Sequence, residues 1–334
     1  MRTTLGAATL ALLALGGCAH VPAQDLPPSL TLTAPAGTIV QLDATPRIGV
    51  ATAFAPELAA LLPSLQERRE HVINGRPFYT GTLAGKPVVL FETGVSIVNA
   101  TMSTQVLFDR FNVTTIVVSG IAGGVDPELS IGDVTVPDQW AQYNEMVYMR
   151  ELGEGRFATY EGYTDEFAPF DFMRPNGVRI LSAAEPNPSR QFWFAADPQL
   201  MATARQAAAE VELQRCAPSG QCLEHAPELV LGGNGVTGSV FLDNARFRDY
   251  LTATFDARVV EMETSAIAMV AYANAVPFIA FRSLSDLAGG GGGDANEMET
   301  FMDIAALNAA AVVMAFLERY EMPQASPDPA LAPR

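Results

Sequence analysis

Short runs of apolar, β-branched residues recur along this chain and alternate with segments of helical periodicity. The runs are almost continuously apolar, which is typical of strands that are covered on both faces. They lie at Ile48–Ala51, Val88–Phe91, Thr115–Val118, Val134–Val136, Leu229–Leu231, Val259–Val260 and Phe278–Phe281. Helical patterns lie at Pro56–Leu65, Ile97–Phe111, Pro198–Leu213, Thr264–Asn274 and Met298–Tyr320. This alternation predicts an α/β fold, a single domain with a central mixed β-sheet flanked by helices, over residues 46–321.

The two ends of the chain differ from this body. Residues 1–17 start with Arg2 and contain the apolar stretch LGAATLALLAL, which is shorter than the roughly 20 residues of a membrane span. We interpret them as an export signal. The LGGC sequence resembles a bacterial lipoprotein signal, which makes Cys18 a candidate for lipidation; an ordinary cleaved signal peptide is the alternative. The predicted location is the bacterial cell envelope, in the periplasm or lipid-anchored to the membrane.

Composition also sets the flanking segments apart. Residues 18–45 are rich in Pro, Ala and Thr, and residues 322–334 have a similar composition. Such segments cannot form a packed core, so we expect a flexible tether at residues 18–45 and a disordered tail at residues 322–334.

The charge of the chain excludes several classes of partner. It has 37 acidic residues against 20 Lys and Arg, and its formal net charge is −17. Nucleic acids and anionic lipid headgroups both bind to basic surfaces, so neither is expected as a partner. Contact with a membrane is expected only through a lipid anchor.

Two further cysteines, Cys216 and Cys222, lie close together in the sequence. In an exported chain such a pair predicts a disulfide. A metal site is the alternative, but His225 is the only nearby histidine and no second ligand pair is present, so we expect no metal. The sequence contains no Gly-x-Ser-x-Gly motif and only three histidines, which also argues against a Ser-His-Asp hydrolase.

Four polar segments follow predicted strands, where open α/β sheets bind their ligands. They contain Glu57, the Gly-rich turn at residues 120–124, the pair Glu261 and Glu263, and the group Arg282, Ser285 and Asp286. Each has a purely structural interpretation, because carboxylates stabilise helix N-termini, glycines fit any tight turn and Asp caps turns. Two acids beside a buried strand, however, are costly unless they bind something. An acid directly after a buried strand is also poised for a raised pKa.

Taken together, the motifs RIGVATAFAPEL, GIAGGVDPELSIGDV, TGSVFLDN, VVEMETSAIA and FRSLSD resemble the nucleoside phosphorylase superfamily. The resemblance is closest to the 5′-methylthioadenosine/S-adenosylhomocysteine nucleosidase branch and covers about residues 47–320. It is weakest at residues 146–230, where we expect an insertion that holds the cysteines. The stretch from GIAG onwards is also similar to plant storage proteins and purine nucleoside permease-like proteins.

The resemblance implies a role for each matching residue. Asp286 would protonate N7 of the purine, and Glu57 would activate the attacking water. Glu263 would bind the ribose hydroxyls, and Met262 would pack against the sugar. The remaining residues would contact or orient the base or form the pocket wall: Phe241, Leu242, Arg282, Ser285, Ile121, Ala122 and Gly123. The family also implies a homo-oligomer that acts on a small-molecule nucleoside without a cofactor.

The residues just before the Gly-rich turn predict whether water or phosphate is the nucleophile. Phosphorylases of this superfamily place an Arg just before the Gly-rich turn to hold phosphate. Here residues 117–119 read Val-Val-Ser, and residues 93–100 contain no Lys or Arg. We therefore predict hydrolysis of the N-glycosidic bond, with release of the free base. Phosphorolysis and non-catalytic nucleoside binding or storage stay open as alternatives, as does the preferred 5′ substituent.

Overall fold

The computed structural model describes residues 41–163, 167–185, 187–218 and 220–323. The predicted signal, Cys18, most of the tether and nearly all of the tail lie outside the described residues. The first strand begins at Asp43, so residues 43–45, which the sequence assigns to the tether, belong to the sheet.

The described residues form six α-helices and eighteen strands. The helices are α1 (Ala55–Leu61), α2 (Ile97–Arg110), α3 (Pro198–Ala208), α4 (Ala245–Phe255), α5 (Thr264–Ala273) and α6 (Met298–Arg319). The strands are β1 (Asp43–Thr52), β2 (Gln66–Ile73), β3 (Arg76–Leu83), β4 (Lys86–Glu92), β5 (Phe111–Gly124), β6 (Val134–Val136), β7 (Gln139–Gln142), β8 (Met146–Tyr148), β9 (Arg150–Gly153), β10 (Arg156–Ala158), β11 (Met173–Pro175), β12 (Val178–Ile180), β13 (Ser189–Gln191), β14 (Trp193–Ala195), β15 (Leu229–Leu231), β16 (Asn234–Thr237), β17 (Ala257–Glu261) and β18 (Phe278–Asp286).

Twelve of these strands form one mixed sheet, which confirms the predicted fold class. The main path runs β14-β7-β16-β17-β5-β1-β4-β3-β2, and β18 pairs with both β5 and β6. Strands β1 and β18 run parallel to β5, whereas β17 meets the end of β5 in the antiparallel sense. Strand β5 is therefore the centre around which the polar strand ends gather.

The core lies between this sheet and its helices, and all seven predicted apolar runs lie within strands. Helix α6 packs on β5 and β18, and its residues Ile304, Val312 and Phe316 are almost fully buried. Among the described helices it alone is long and apolar enough to cross a bilayer, but 56% of the most apolar part is buried inside the protein. Its apolar character is thus explained by packing in the core.

The predicted insertion is built from short strands and aromatic side chains. Strands β8 to β13 form three small two-stranded sheets beside the main one. Phe167 and Phe192 of this region pack against Phe255 of α4, and the hydroxyl of Tyr250 donates to the carbonyl of Ala168. This segment therefore covers α4, the helix that follows residues 238–244.

Cys216 and Cys222 form a disulfide. Ala217 and Leu223, beside the two cysteines, pack against Phe301 and Ile304 of α6. The disulfide loop thus lies on α6. No group of three or more His, Cys, Asp or Glu side chains within the described part of the chain is arranged to hold a metal.

Candidate active site

Three neighbouring strands bring the polar segments to one edge of the sheet. In the pairing of β18 with β5, Arg282 lies opposite Gly120 and Asp286 opposite Gly123. Strand β1 lies on the other side of β5 and leads into α1, which carries Glu57 in its first turn. Strand β17 pairs with the last residues of β5 and ends at Glu261. Side chains far apart in the sequence therefore meet around the end of β5.

A cavity of about 340 Å³ opens at this place. Ten residues to which the sequence assigns a site role line it: Glu57, Ile121, Ala122, Gly123, Phe241, Leu242, Met262, Glu263, Ser285 and Asp286. The sequence assigned no such role to the other lining residues: Ala53, Phe54, Val95, Val240, Val260, Glu261 and Met298. The volume of the cavity lies at the lower end of the range typical of small-molecule sites, roughly 300–1,000 Å³.

Both oxygens of the Glu57 carboxylate are held by the backbone. The amide of Ala53 donates to Oε2 at 2.5 Å, and the amide of Ile121 donates to Oε1 at 2.8 Å. The Arg282 guanidinium lies 3.6 Å from Oε1. Burial raises the pKa of Glu57, while Arg282 and the two amides lower it in part. Glu57 is thus a fixed carboxyl group at the cavity wall with an elevated proton affinity.

Gly120 leaves room for this arrangement. A Cβ atom at this position would stand 2.1 Å from Arg282 Nη1 and 2.5 Å from Glu57 Oε1. No larger residue fits without displacing one of the two charged groups. The absence of a side chain at Gly120 therefore leaves space for the side chains of Arg282 and Glu57.

Asp286 lies at the end of β18 and is 3% exposed. The Ser285 hydroxyl donates to its Oδ2 and the Ala288 amide to its Oδ1, both at 2.9 Å. Burial raises the pKa of Asp286 above its ordinary value, against the lowering effect of these hydrogen bonds. No cationic side chain of the described residues is hydrogen-bonded to it. Burial thus raises the pKa of both carboxyl groups, Asp286 and Glu57.

Glu263 faces Glu57 across Arg282. Its Oε1 accepts a hydrogen bond from the Ser96 amide at 2.8 Å, and its Oε2 lies 3.4 Å from Arg282 Nη2. Burial and the nearby charge of Glu261 raise the pKa of Glu263 to about 8. Burial thus favours the protonated form of Glu263, which can both donate and accept hydrogen bonds, while the ion pair with Arg282 opposes it.

The structure does not bring Arg282, which the sequence predicts to orient the base, to the cavity surface. Its side chain is 1% exposed and does not line the cavity. Its guanidinium is ion-paired with Glu57, Glu261 and Glu263, and Nη1 donates to the Ile121 carbonyl at 3.2 Å. Contacts within the protein thus hold the guanidinium away from the cavity.

Apolar side chains form most of the remaining cavity surface. Phe241 is 51% exposed, whereas Leu242 and Ile121 are buried. Ile121 packs with Phe54 and Met298, which the sequence analysis did not assign to the site. Met298 begins α6, far along the chain from Phe54, and their proximity depends on the packing of α6 against α1. No local signal in the sequence marks that contact.

Comparison with known proteins agrees with this geometry. The model of the phosphorylase superfamily matches residues 47–318. A 5′-methylthioadenosine/S-adenosylhomocysteine nucleosidase from Tolumonas auensis is 30% identical over 275 residues, which cover 82% of this chain and 99% of that protein. Bark storage protein A of Populus deltoides is 28% identical over 221 residues, 65% of this chain and 70% of the relative.

A solved structure extends the comparison to three dimensions. The 5′-methylthioadenosine/S-adenosylhomocysteine nucleosidase of S. pneumoniae, in complex with a transition-state inhibitor, superposes with a TM-score of 0.60 at 26% identity. The superposition covers 82% of this chain and 99% of the other.

Proposed function

The chain belongs to the phosphorylase superfamily, and we propose that it hydrolyses the N-glycosidic bond of 5′-methylthioadenosine and S-adenosylhomocysteine to release adenine. The observation that carries the proposal is the cavity shared by Glu57, Glu263 and Asp286. Cleavage of an N-glycosidic bond passes through an oxocarbenium-like state. An acid at the base and a carboxylate at the attacking water suit that state.

Asp286 serves the leaving group. Its carboxyl group, whose pKa burial raises, donates a proton to N7 of the purine, so that the base departs as a neutral molecule. The hydroxyl of Ser285 orients the carboxyl group through its hydrogen bond to Oδ2. The backbone of Leu242 contacts the edge of the base, and the half-exposed ring of Phe241 stacks on its face.

Glu57 serves the nucleophile. Two backbone amides fix its carboxylate, so it holds a water molecule in a defined place and accepts its proton. The proton affinity of Glu57, elevated by burial, favours this transfer. Glu263 binds the ribose hydroxyls, and Met262 packs against the sugar.

Water is the proposed nucleophile because the cavity offers nothing that holds phosphate. Its lining contains no Lys, Arg or His. The nearby Arg282 is already paired with three carboxylates. A phosphate would therefore meet acidic groups without a cation to bind it. Apolar lining residues such as Phe54, Val95 and Met298 further favour the small methylthio group as the 5′ substituent.

The experiment is incubation of the protein with adenosine, inosine, methylthioadenosine and adenosylhomocysteine, with and without phosphate. Free base is followed by chromatography. We expect release of adenine from the two thioether nucleosides at a rate that does not depend on phosphate. Formation of a ribose 1-phosphate would instead establish phosphorolysis.

Nucleoside storage without turnover is the alternative function. The similarity to bark storage protein A motivates it. Tight binding of methylthioadenosine in equilibrium dialysis, without release of adenine, would favour this alternative over hydrolysis.

We also propose that the chain is exported to the bacterial cell envelope. Its Cys216–Cys222 disulfide supports this location, because disulfides persist in oxidising compartments. A lipid on Cys18 would anchor the protein to the membrane. Mass spectrometry of the N-terminal peptide from the membrane fraction tests the anchor: an acylated Cys18 supports it, and an unmodified peptide contradicts it.

Finally, we propose that a second copy of this chain covers one face of α2. Val98 and Met102 lie one helical turn apart and are 66% and 54% exposed. Val95, three residues before Val98 in the chain, lines the cavity, so the covered face would extend towards the site. Sedimentation equilibrium should give a dimer for the wild type and a monomer for Met102→Glu. A monomeric wild type would refute the interface.

A further inference from the structure

Glu261 is a fourth carboxylate beside the cavity, and none of the roles described above uses it. It is the last residue of β17, and its side chain is 3% exposed. The sequence marks it only as an acid next to a buried strand. Its carboxylate accepts more hydrogen bonds within the described residues than those of Glu57, Glu263 or Asp286.

Five donors converge on this carboxylate. The Thr237 hydroxyl donates to Oε1. The amides of Glu263 and Thr264 donate to Oε2 at 2.9 and 2.8 Å, and the Thr264 hydroxyl donates to it at 2.7 Å. The fifth donor is Arg282 Nη2. These hydrogen bonds fix the position of the carboxylate. It also satisfies the first free amides of α5.

Arg282 links Glu261 to the two functional glutamates, but unequally. Its Nη2 is in closest contact with Glu261 and lies 3.4 Å from Glu263 Oε2. Its Nη1 lies 3.6 Å from Glu57 Oε1. The Thr264 hydroxyl accepts from Nε at 3.0 Å and from Nη2 at 2.8 Å, which holds the guanidinium on the side of Glu261.

Resting on the function proposed above, we propose that Glu261 is a positioning residue that takes up the charge of Arg282 and so leaves Glu57 free to accept the proton of the attacking water. A guanidinium in bidentate contact with Glu57 would make that carboxylate a weak base. With Glu261 in place, one cation is shared among three acids, and Glu57 receives only part of its stabilisation.

The charged and titratable groups around Glu261 come from four elements. Arg282 lies on β18, Glu263 at the start of α5 and Glu57 on α1. The fourth is Tyr143, which follows β7; burial and the charge of Glu261 raise its pKa to about 12. Tyr143 thus stays neutral near physiological pH. A substitution of Glu261 is therefore expected to change the protonation of Glu57 and Glu263.

The test follows the protonation of Glu57 directly, independently of turnover. Infrared spectra are recorded across the pH range for the wild type and Glu261→Gln. In each background the spectrum of the matching Glu57→Gln variant is subtracted, so the difference reports the Glu57 carboxyl group. We expect the midpoint of the Glu57 titration to move to lower pH by about one unit in Glu261→Gln. The variant removes a negative charge near Glu57 and frees Arg282 from its ion pair with residue 261.

Two further variants separate charge from packing. Glu261→Asp keeps the charge but withdraws it from Arg282, so its midpoint should move in the same direction by a smaller amount. Thr237→Val removes one buried hydrogen bond to Glu261 without a change of charge, and its midpoint should equal that of the wild type. If Glu261→Gln does not fold, Glu261→Asp decides the test.

Activity supplies the second readout. The acidic limb of kcat/KM for methylthioadenosine should move with the infrared midpoint, and kcat at neutral pH should fall by about tenfold in Glu261→Gln. An unchanged Glu57 midpoint in both Glu261 variants would overturn the positioning role. A wild type that shows the infrared titration but releases no adenine would instead contradict the proposed hydrolysis.

Discussion

Glu57 and Asp286 are both buried carboxyl groups at one cavity, but their partners differ. Two backbone amides and a guanidinium surround Glu57, whereas Asp286 has one amide and one hydroxyl. Burial raises the pKa of both groups, and the Arg282 guanidinium opposes that effect at Glu57. In the proposed hydrolysis Glu57 is the proton acceptor and Asp286 the proton donor.

Substitution of either group should remove most of the activity. We expect Asp286→Asn and Glu57→Gln each to lower kcat by about 10² to 10⁴-fold, the usual contribution of a general acid or base. Circular dichroism should show an unchanged fold. Glu92→Gln is a matched control, because Glu92 is a partly buried glutamate at a strand end that does not line the cavity. Near-normal turnover in either active-site variant would refute the assigned role.

A substitution of Gly120 tests whether the close packing of Arg282 and Glu57 is needed. We expect Gly120→Ala to lower the free energy of unfolding by about 1 to 3 kcal/mol and to reduce kcat, because its Cβ overlaps Arg282 and Glu57. Urea denaturation and the adenine assay measure the two effects. Gly293→Ala is the control, since the nearest atom to a Cβ there is 3.8 Å away. Equal stability and activity of the two variants would show that the space at Gly120 is not needed.

At the scale of the elements, the disulfide loop and the cavity lie against different parts of α6. Ala217 and Leu223 pack with Phe301 and Ile304, whereas Met298 and Ala305 pack with Ile121. The loop therefore supports the helix without forming the cavity wall.

Removal of the disulfide should affect stability more than catalysis. We expect Cys216→Ser with Cys222→Ser to lower the free energy of unfolding by about 2 kcal/mol, as for closure of a short loop. At moderate temperature kcat should be retained. Chemical denaturation of the variant and of the reduced wild type provides the measurement. Loss of activity in the folded double variant would mean that the loop shapes the cavity.

The sequence predicts those elements whose pattern is contained in one segment. The apolar run Phe278–Phe281 lies within β18, and the pattern at Met298–Tyr320 agrees with α6 to within one residue. Helix α4 was not predicted, because it has only two buried residues, Leu251 and Phe255. Its aromatic partners come from the insertion, whose strands of three or four residues are too short to show a period.

For the molecule as a whole, three acids and one guanidinium lie together inside a chain of net charge −17. The sequence motifs predicted the positions of Glu57, Glu263 and Asp286 at one cavity. They did not predict the ion pairs of Arg282 or the donors around Glu261, because those contacts join four separate segments, at Glu57, Thr237, residues 261–264 and Arg282. Such contacts become visible only when the strands are assembled.

Glu263 should make stability depend on pH. Its pKa is raised from 4.5 to about 8 in the folded protein, so the folded state binds more protons than the unfolded state between these values. Its stabilising contribution is present below pH 4.5 and is lost as the pH rises through about 8. Urea denaturation across this range should show a steeper decline for the wild type than for Glu263→Gln. An equal decline in the free energy of unfolding with pH for the two proteins would contradict the raised pKa of Glu263.

The most direct test of the account is the fate of the solvent oxygen in a single assay. Methylthioadenosine is incubated with the protein in water labelled with heavy oxygen and in the presence of phosphate, and the products are analysed by mass spectrometry. We expect one adenine for each methylthioribose, with the label in the hydroxyl at C1 of the sugar. A sugar phosphate, or an intact nucleoside recovered from the protein, would contradict it.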